Sequence, residues 1–340
     1  MIPCFSPTIR RREMEAALSC MVDDSVSPGE MNLRLCMSAC ETAGFQTAVA
    51  VRSPAVALEH SLSVCGLHRG DAVVMSALAP AYYAQAAERL GFSVLAADVD
   101  ESTGCASLES VKEQIKAGGR LLLLAEPFCP PAEDFGGLGV TVIEDISRSF
   151  ALPTQEEGSE SAAALSIMGM EDGDLLATGG GALLASYSKQ GKSVLKSLAD
   201  DLDQTDLLPD LNAALGYCGF KEFKRNQASR VELYEYFSRT LASSRHKVFA
   251  MGGRGNPSSC CCFAVEINCG FREVHSHAQK RGVEVKLAFA GSLVAKRRDE
   301  LSLSCPVASS LSLRVVLFPL YPRLSKTEAQ QVAGVLSSLP

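Results

Sequence analysis

The chain has 340 residues, 47% hydrophobic and 21% charged, with 27 Gly, 15 Pro, 13 Cys and no Trp. That is ample apolar sequence for one large or two medium domains, and it excludes global disorder. Net charge is −7 from 32 basic and 39 acidic residues with no long basic run, so no nucleic-acid footprint is expected. The longest apolar runs, such as Leu121–Ala125 and Val315–Leu320, fall far short of the roughly 20 residues of a membrane span. Arg10–Arg12 lie in an amphipathic pattern with no hydrophobic targeting segment after them. The expectation is a soluble, cytoplasmic protein.

Apolar positions at helical spacing predict helices over Arg11–Met21 and Glu30–Gly44. Thr47–Val51 reads as a strand, and Pro54–Gly66 as a helix with proline near its first turn. Alternation continues with strand Ala72–Ser76, helix Ala81–Gly91, strand Ser93–Asp98, helix Leu108–Ala117, and strands Leu121–Ala125 and Val140–Glu144. This pattern predicts an α/β fold, with a mostly parallel sheet covered on both faces. Such sheets bind ligands beyond the carboxyl ends of their strands. The loops Arg52–Ala55, Leu78–Tyr83 and Asp145–Ser149 are therefore the candidate ligand loops. Ser161–Ser186 reads as two or three short strands around Gly179-Gly180-Gly181, and Lys189–Asp210 as a polar stretch. A long helix is predicted from about Leu211 to Ser243, leading into a second, smaller α/β domain. Within it, Arg272–Arg281 and Lys326–Ser338 read as helices, the last capped by Ser325 with Glu328 three positions on. The expected division is a large domain over residues 1–216 and an inter-domain helix with a small domain over 217–340.

Thirteen cysteines is an odd count in a chain too long for a disulfide-stapled scaffold, so reduced, mostly buried thiols are expected. Cys36 and Cys40 are one helical turn apart and Cys260–Cys262 are consecutive, with no second cluster beside either. No metal site is expected. The glycine run lacks a following Lys-Ser/Thr and a G-x-G-x-x-G continuation, so a tight hairpin or close backbone approach is the better reading. Glu144-Asp145 ends an apolar strand, where a carboxylate either is solvated, caps a helix or pairs with a cationic ligand group. Arg148 on the same loop is a competing partner. Ser53 precedes a helix N-terminus that favours an anion, although Pro54 removes one amide and an ordinary helix start fits equally. The five histidines (His60, His68, His246, His275, His277) lie off these loops and complete no nucleophile–histidine–acid set.

Taken in order, these segments resemble the sugar-nucleotide aminotransferases of the DegT type, pyridoxal-phosphate (PLP) enzymes of the aspartate-aminotransferase fold. "IPCFSPTI" resembles that family's opening, and "AVAVRSPAVAL" stands at its serine-glycine-threonine phosphate loop. "GFSVLAADVDESTG" resembles the strand and turn after its ring-stacking helix. "VTVIEDISRSFA" is similar to its glutamate–aspartate loop, and "TGGGALLAS" to its glycine pair and following strand. "LPDLNAALGY", "ASRVELYEYFSRTL", "RGVEVK" and "CPVASSLSLRVVLFPLYPRLSKTEAQQVAGVL" resemble the connecting helix and C-terminal half-domain, so the likeness runs end to end. The resemblance implies a PLP-transferase fold of type I, a homodimer with its cleft at the interface, and surface-sugar or polysaccharide synthesis. It also implies cofactor contacts from Ser53, Tyr82 or Tyr83, Asp145, Arg148 and Ser166. Asp145 matches the carboxylate that pairs with the pyridinium nitrogen, and Ser166 a phosphate-contacting serine.

The same resemblance exposes a missing group. The family's Schiff-base lysine, also its proton-moving acid–base, lies a few residues before the glycine pair. Here that stretch is "SIMGMEDGDLLATGGG", with Glu171, Asp172 and Asp174, and no lysine occurs between Lys116 and Lys189. Lys189 and Lys192 lie past the next strand, and the histidine of the dehydrating relatives is absent too. The phosphate loop reads Ser53-Pro54-Ala55, Pro80 stands at the stacking aromatic, and Arg148 replaces a glutamine or histidine. "DQTDLL" replaces the asparagine–arginine element that crosses to the neighbouring subunit, and the stretch from Pro131 to Thr141 is shortened. A positioned acid–base alone is worth ~10²–10⁴-fold, and each charge-assisted phosphate contact about 1.5–3 kcal/mol. Transamination and covalent PLP binding are therefore not expected. The expected function is a non-transaminating homologue whose cleft holds an anion or nucleotide-sugar near Arg148. Two alternatives stand beside it. One is an active aminotransferase or dehydratase holding PLP or its amine form (PMP) non-covalently, with Asp172 or Glu171 as base. The other is a non-catalytic partner of a lysine-bearing paralogue.

Overall fold

The computed structural model describes residues 1–150, 163–250 and 261–340. Seven strands form the first sheet: β1 (Thr47–Val51), β2 (Ala72–Ser76), β3 (Ser93–Ala97), β4 (Gly119–Ala125), β5 (Thr141–Asp145), β6 (Leu165–Gly169) and β7 (Ala182–Ser186). Their order is β1-β7-β6-β5-β4-β2-β3, parallel from β6 to β3, with β7 antiparallel to both its neighbours. Around it lie α1 (Arg11–Val22), α2 (Glu30–Ala43), α3 (Pro54–Val64), α4 (Ala81–Arg89), α5 (Leu108–Lys116), α6 (Lys189–Asp201) and α7 (Asp210–Lys221). The strands are nearly continuous apolar runs because both faces are covered. Leu58, Met75, Ile143, Ile167 and Leu184 share one core layer, and Leu35, Ala50, Met168, Leu183 and Phe220 share the other.

Helix α8 (Phe223–Leu241) leads to a second, antiparallel sheet of β8 (Lys247–Val248), β9 (Phe263–Glu266), β10 (Lys286–Leu287) and β11 (Val315–Phe318), ordered β10-β11-β9-β8. Its helices are α9 (Phe271–Lys280), α10 (Leu293–Lys296), α11 (Arg298–Leu301), α12 (Pro306–Arg314) and α13 (Lys326–Ser337). Phe237, Phe263, Val316, Phe318, Val332 and Leu336 form its core, which also buries Ile2. The start of the chain is tied there: Ile2 N–H donates to the Gly282 carbonyl at 2.7 Å, and Glu284 N–H donates to the Ile2 carbonyl at 2.9 Å.

Several local outcomes refine the sequence reading. The long helix expected from Leu211 to Ser243 breaks at Glu222 into α7 and α8. The polar stretch after Lys189 folds as α6, whose Ser188 cap accepts from Gly191 N–H at 2.9 Å and whose Leu195 and Leu198 face inward. Gly179, Gly180 and Gly181 all take positive φ, at 79°, 116° and 120°, in the connection between antiparallel β6 and β7. Only glycine holds three such residues in a row without strain. Ser161, Ala162 and Cys260 lie outside the described residues. Every described cysteine is a free thiol. No helix among the described residues is long and apolar enough to cross a membrane.

The start of α2 is capped from a distance. Asp210, 2% exposed, accepts from the N–H groups of Gly29, Asn32 and Met31 at 2.8, 2.9 and 3.0 Å. These are amides that a helix N-terminus leaves without partners of its own. Asn32 then donates to the carbonyls of Ala50 and Leu208 at 3.1 and 2.8 Å, binding α2 to β1 and the approach to α7. Asp210→Ala leaves three amide donors without their acceptor, one of them on buried Asn32, and is expected to lower urea-unfolding stability by about 1–3 kcal/mol. Asp210→Asn keeps an acceptor and loses less; equal losses in the two variants would contradict the cap.

Candidate functional site

Strand β5 sets the site. Side chains alternate along a strand, so Ile143 and Asp145 share a face, and Ile143 is anchored in the layer of α3 and α4. Asp145 therefore emerges at the strand end beside α4. The Tyr83 hydroxyl donates to its Oδ2 at 3.0 Å, and Ser147 N–H donates to Oδ1 at 3.0 Å, joined by the Ser147 hydroxyl. The Ser147 oxygen also accepts from Gly169 N–H at 2.7 Å, so one hydroxyl joins β5 to β6. Burial raises the Asp145 pKa above the ordinary carboxylate value, against the Ser147 and Tyr83 hydrogen bonds and the Arg148 charge.

Beyond Asp145 lies a cavity of about 250 Å³. One wall is Pro80 and Tyr82 at the head of α4, and another is Glu126 and Pro127 just past β4. The β5 loop adds Ser147 and Arg148, and the β6 loop adds Glu171, Gly173 and Asp174. Phe289 and Ser292 close the space from the other half of the chain. That segment is pinned by backbone bonds of 2.9 Å: Ala81 N–H to Gly291 carbonyl, Leu293 N–H to Ala79 carbonyl and Val294 N–H to Ala77 carbonyl.

Arg148 and Asp174 pair inside this space, Nε to Oδ1 at 3.6 Å, while Asp174 Oδ2 accepts from Glu171 N–H at 2.9 Å. The Asp174 side chain is 9% exposed, and burial lifts its pKa to about 7 against the opposing pull of Arg148. Burial also works against the charge on Arg148, but Asp174 above all outweighs it and holds the guanidinium protonated. Glu126, 7% exposed, is pushed well above the carboxylate range by burial and then by Glu144. A Cβ on Gly169 would lie 2.7 Å from Asp174 Oδ2, 2.8 Å from Ser147 Oγ and 3.1 Å from Pro54 Cγ. The Asp174 carboxylate is thus packed toward the head of α3 across a residue that must be glycine.

Of the residues expected at the site, Tyr82, Asp145 and Arg148 line the cavity. Tyr83 stands behind it, fully buried, as the donor to Asp145. Ser53 does not reach the wall; its hydroxyl caps α3 by accepting from Val56 N–H at 3.2 Å. Ser166 does not join them either. It pairs in register with Ala185, which belongs to the opposite core layer, and it is three residues from Gly169, an odd spacing that reverses the face. Its hydroxyl is buried there with no hydrogen-bond partner among the described residues. Sequence reasoning missed Ser147, Glu126, Phe289 and Ser292. The Asp-x-Ser turn at the end of β5 was a readable signal for Ser147. Glu126 follows β4 as Asp145 ends β5, whereas no local signal marks Phe289. Among the described residues, no group of three or more potential ligands converges to hold a metal ion.

Tyr83→Phe removes the donor to Asp145 Oδ2. The Asp145 titration is expected to move up by about one pH unit, at 1.4 kcal/mol per unit, in carboxyl ¹³C spectra. An unmoved titration would contradict the hydrogen bond's role.

Solved structures share this fold across nearly the whole chain. One is a protein of Streptococcus pneumoniae provisionally assigned as a sugar aminotransferase, in its PMP form. It has a TM-score of 0.86 and 14% identity over 99% of this chain and 97% of that one. An aminotransferase from Psychrobacter cryohalolentis aligns with a TM-score of 0.84 and 16% identity over 98% of each chain. The GDP-4-keto-6-deoxy-D-mannose-3-dehydratase of Escherichia coli, with bound hydrated PLP, aligns at 0.83 and 17% identity over 99% of each. At these identities the likeness shows the fold, a PLP-transferase of type I. Residues 7–133 and 185–337 match the DegT/DnrJ/EryC1/StrS aminotransferase family, and the interval between them carries Asp145, Arg148 and Asp174. With more than half its length so matched, the chain belongs to the DegT/DnrJ/EryC1/StrS aminotransferase family.

Proposed function

We propose that this chain is a non-transaminating member of its family that keeps the cleft as a small-molecule binding site. One observation carries the reading: the cavity is walled by carboxyl groups and one arginine, with no lysine or histidine among the described lining residues. Glu171 and Asp174 stand in the stretch where relatives carry the Schiff-base lysine. A carboxylate cannot form the carbon–nitrogen bond on which that chemistry depends.

The residues present do not fit PLP. Its phosphate would meet the Asp174 carboxylate, packed toward the head of α3 across Gly169. There Pro54 offers no N–H and the Ser53 hydroxyl is engaged as a cap. Two like unit charges 4 Å apart repel by about 4 kcal/mol at an effective dielectric near 20. Arg148, the one cation among the described lining residues, is paired with Asp174. The setting in sugar metabolism is taken into this proposal from the relatives' names.

The proposal includes a homodimer. Met14, Leu18 and Met21 on α1 and Leu33 and Met37 on α2 are 51–65% exposed, on two helices that both pack against α7. Apolar side chains at such spacing call for cover, and a second copy is the occupant the family resemblance implies. Light scattering is expected to give twice the chain mass of 36.1 kDa, and a monomer would remove this part.

PLP titrated into the purified protein is expected to give no imine absorbance, and borohydride treatment no reduced adduct in tryptic mass spectra. An imine band with a lysine adduct mapped to the cleft would overturn the reading.

A further inference from the structure

We infer that the ligand of this cleft is an organic monocation, a protonated amine carried on a ring-sized, largely apolar body. This rests on the non-transaminating reading, because a covalently held cofactor would fill the same space. Four carboxyl groups, Glu126, Asp145, Glu171 and Asp174, line the cavity against Arg148, the sole cation among the described lining residues. Arg148 is already matched by Asp174 at 3.6 Å. No ion pair to Asp145 or Glu171 forms among the described residues. Burial pushes Glu126 well above the carboxylate range and Asp174 is matched by Arg148, so Asp145 and Glu171 remain without an ion pair and no unmatched cation among the described lining residues meets an anion.

Size narrows the class further. About 250 Å³ is below the roughly 300–1,000 Å³ of pockets for drug-sized ligands, so the space bounded by the described residues suits a ring-sized body. The remaining walls are apolar or aromatic, from Pro80, Tyr82, Pro127 and Phe289. Aromatic faces beside carboxylates suit an ammonium group on a hydrocarbon ring. A divalent metal is the wrong cation, since no three ligands converge on one point among the described residues.

Asp174 makes this selectivity depend on pH. It is faced by Arg148 and Asp145 from the end of β5, by Tyr82 from α4 and by Glu171 on its own loop. Glu13 of α1 and Arg230 of α8 lie on its far side, and Cys261 lies within electrostatic reach ahead of β9. A cation favours the ionised carboxylate, so affinity rises with pH through the Asp174 pKa of about 7. Between pH 6 and pH 8 the ionised share of such a group grows about tenfold.

The test is calorimetric titration of the full chain with three ligands of one shape, cyclohexylamine, cyclohexanol and cyclohexanecarboxylate. At pH 8 the amine is expected to bind at least tenfold tighter than the alcohol, with no binding of the acid. At pH 6 the amine should bind about tenfold more weakly. Asp174→Asn should flatten that dependence; should this variant not fold, Glu171→Gln, at an exposed position, should weaken amine binding and leave the alcohol unchanged. Binding of the acid in preference, equal binding of all three, or no heat from any of them would overturn the assignment. The two readings fail separately: a reduced lysine adduct defeats the non-transaminating proposal, whereas acid binding without an adduct defeats only the choice of a cation.

Discussion

The ion pair between Asp174 and Arg148 decides what this cleft can hold. It lies where the ends of β5 and β6 meet the head of α3, with Asp174 9% and Arg148 31% exposed. A half-buried pair of this kind contributes little net stability, and removal of one member costs less than the about 3–5 kcal/mol of a fully buried pair, because water reaches Arg148. Arg148 is thereby committed to a group inside the protein, and the negative charge that a phosphate would bring is already present. The neighbouring Asp145 is likewise committed inward, through Tyr83 and Ser147.

The scaffold and the site place separate physical demands on the chain. The sheet needs only apolar strands at the right period, helices of matching face, and closure of the loops between them. Those demands tolerate wide substitution, and the fold is shared with relatives at 14–17% identity. The cofactor chemistry needs particular atoms at particular points. The family match skips the interval from 134 to 184, which carries Asp145, Arg148 and Asp174.

Much of the fold was legible in the sequence because its signals are local. β1 to β5 and α3 to α5 follow alternating apolar patterns punctuated by Pro54, Gly66 and Gly91, and the Ser325–Glu328 capping box marks the start of α13 as read. The break at Glu222 carries no proline or glycine, so nothing in the chain announced it. Helix α6 was hidden because only Leu195 and Leu198 betray its inward face. Asp145 and Arg148 were legible from a strand end with paired charges. Ser166 takes the face of β6 opposite to Gly169, which motif spacing does not register. Phe289 and Ser292 reach the cavity only through pairing of their segment with residues 77–81, a long-range contact that no local pattern encodes.

A crystal structure of the protein soaked with PLP at high concentration tests the central claim most directly. The account predicts that the Arg148–Asp174 pair stays closed and that no ring density joins a side chain in the cleft. Phosphate density at the head of α3, with Asp174 displaced and a lysine bonded to the cofactor, would contradict it.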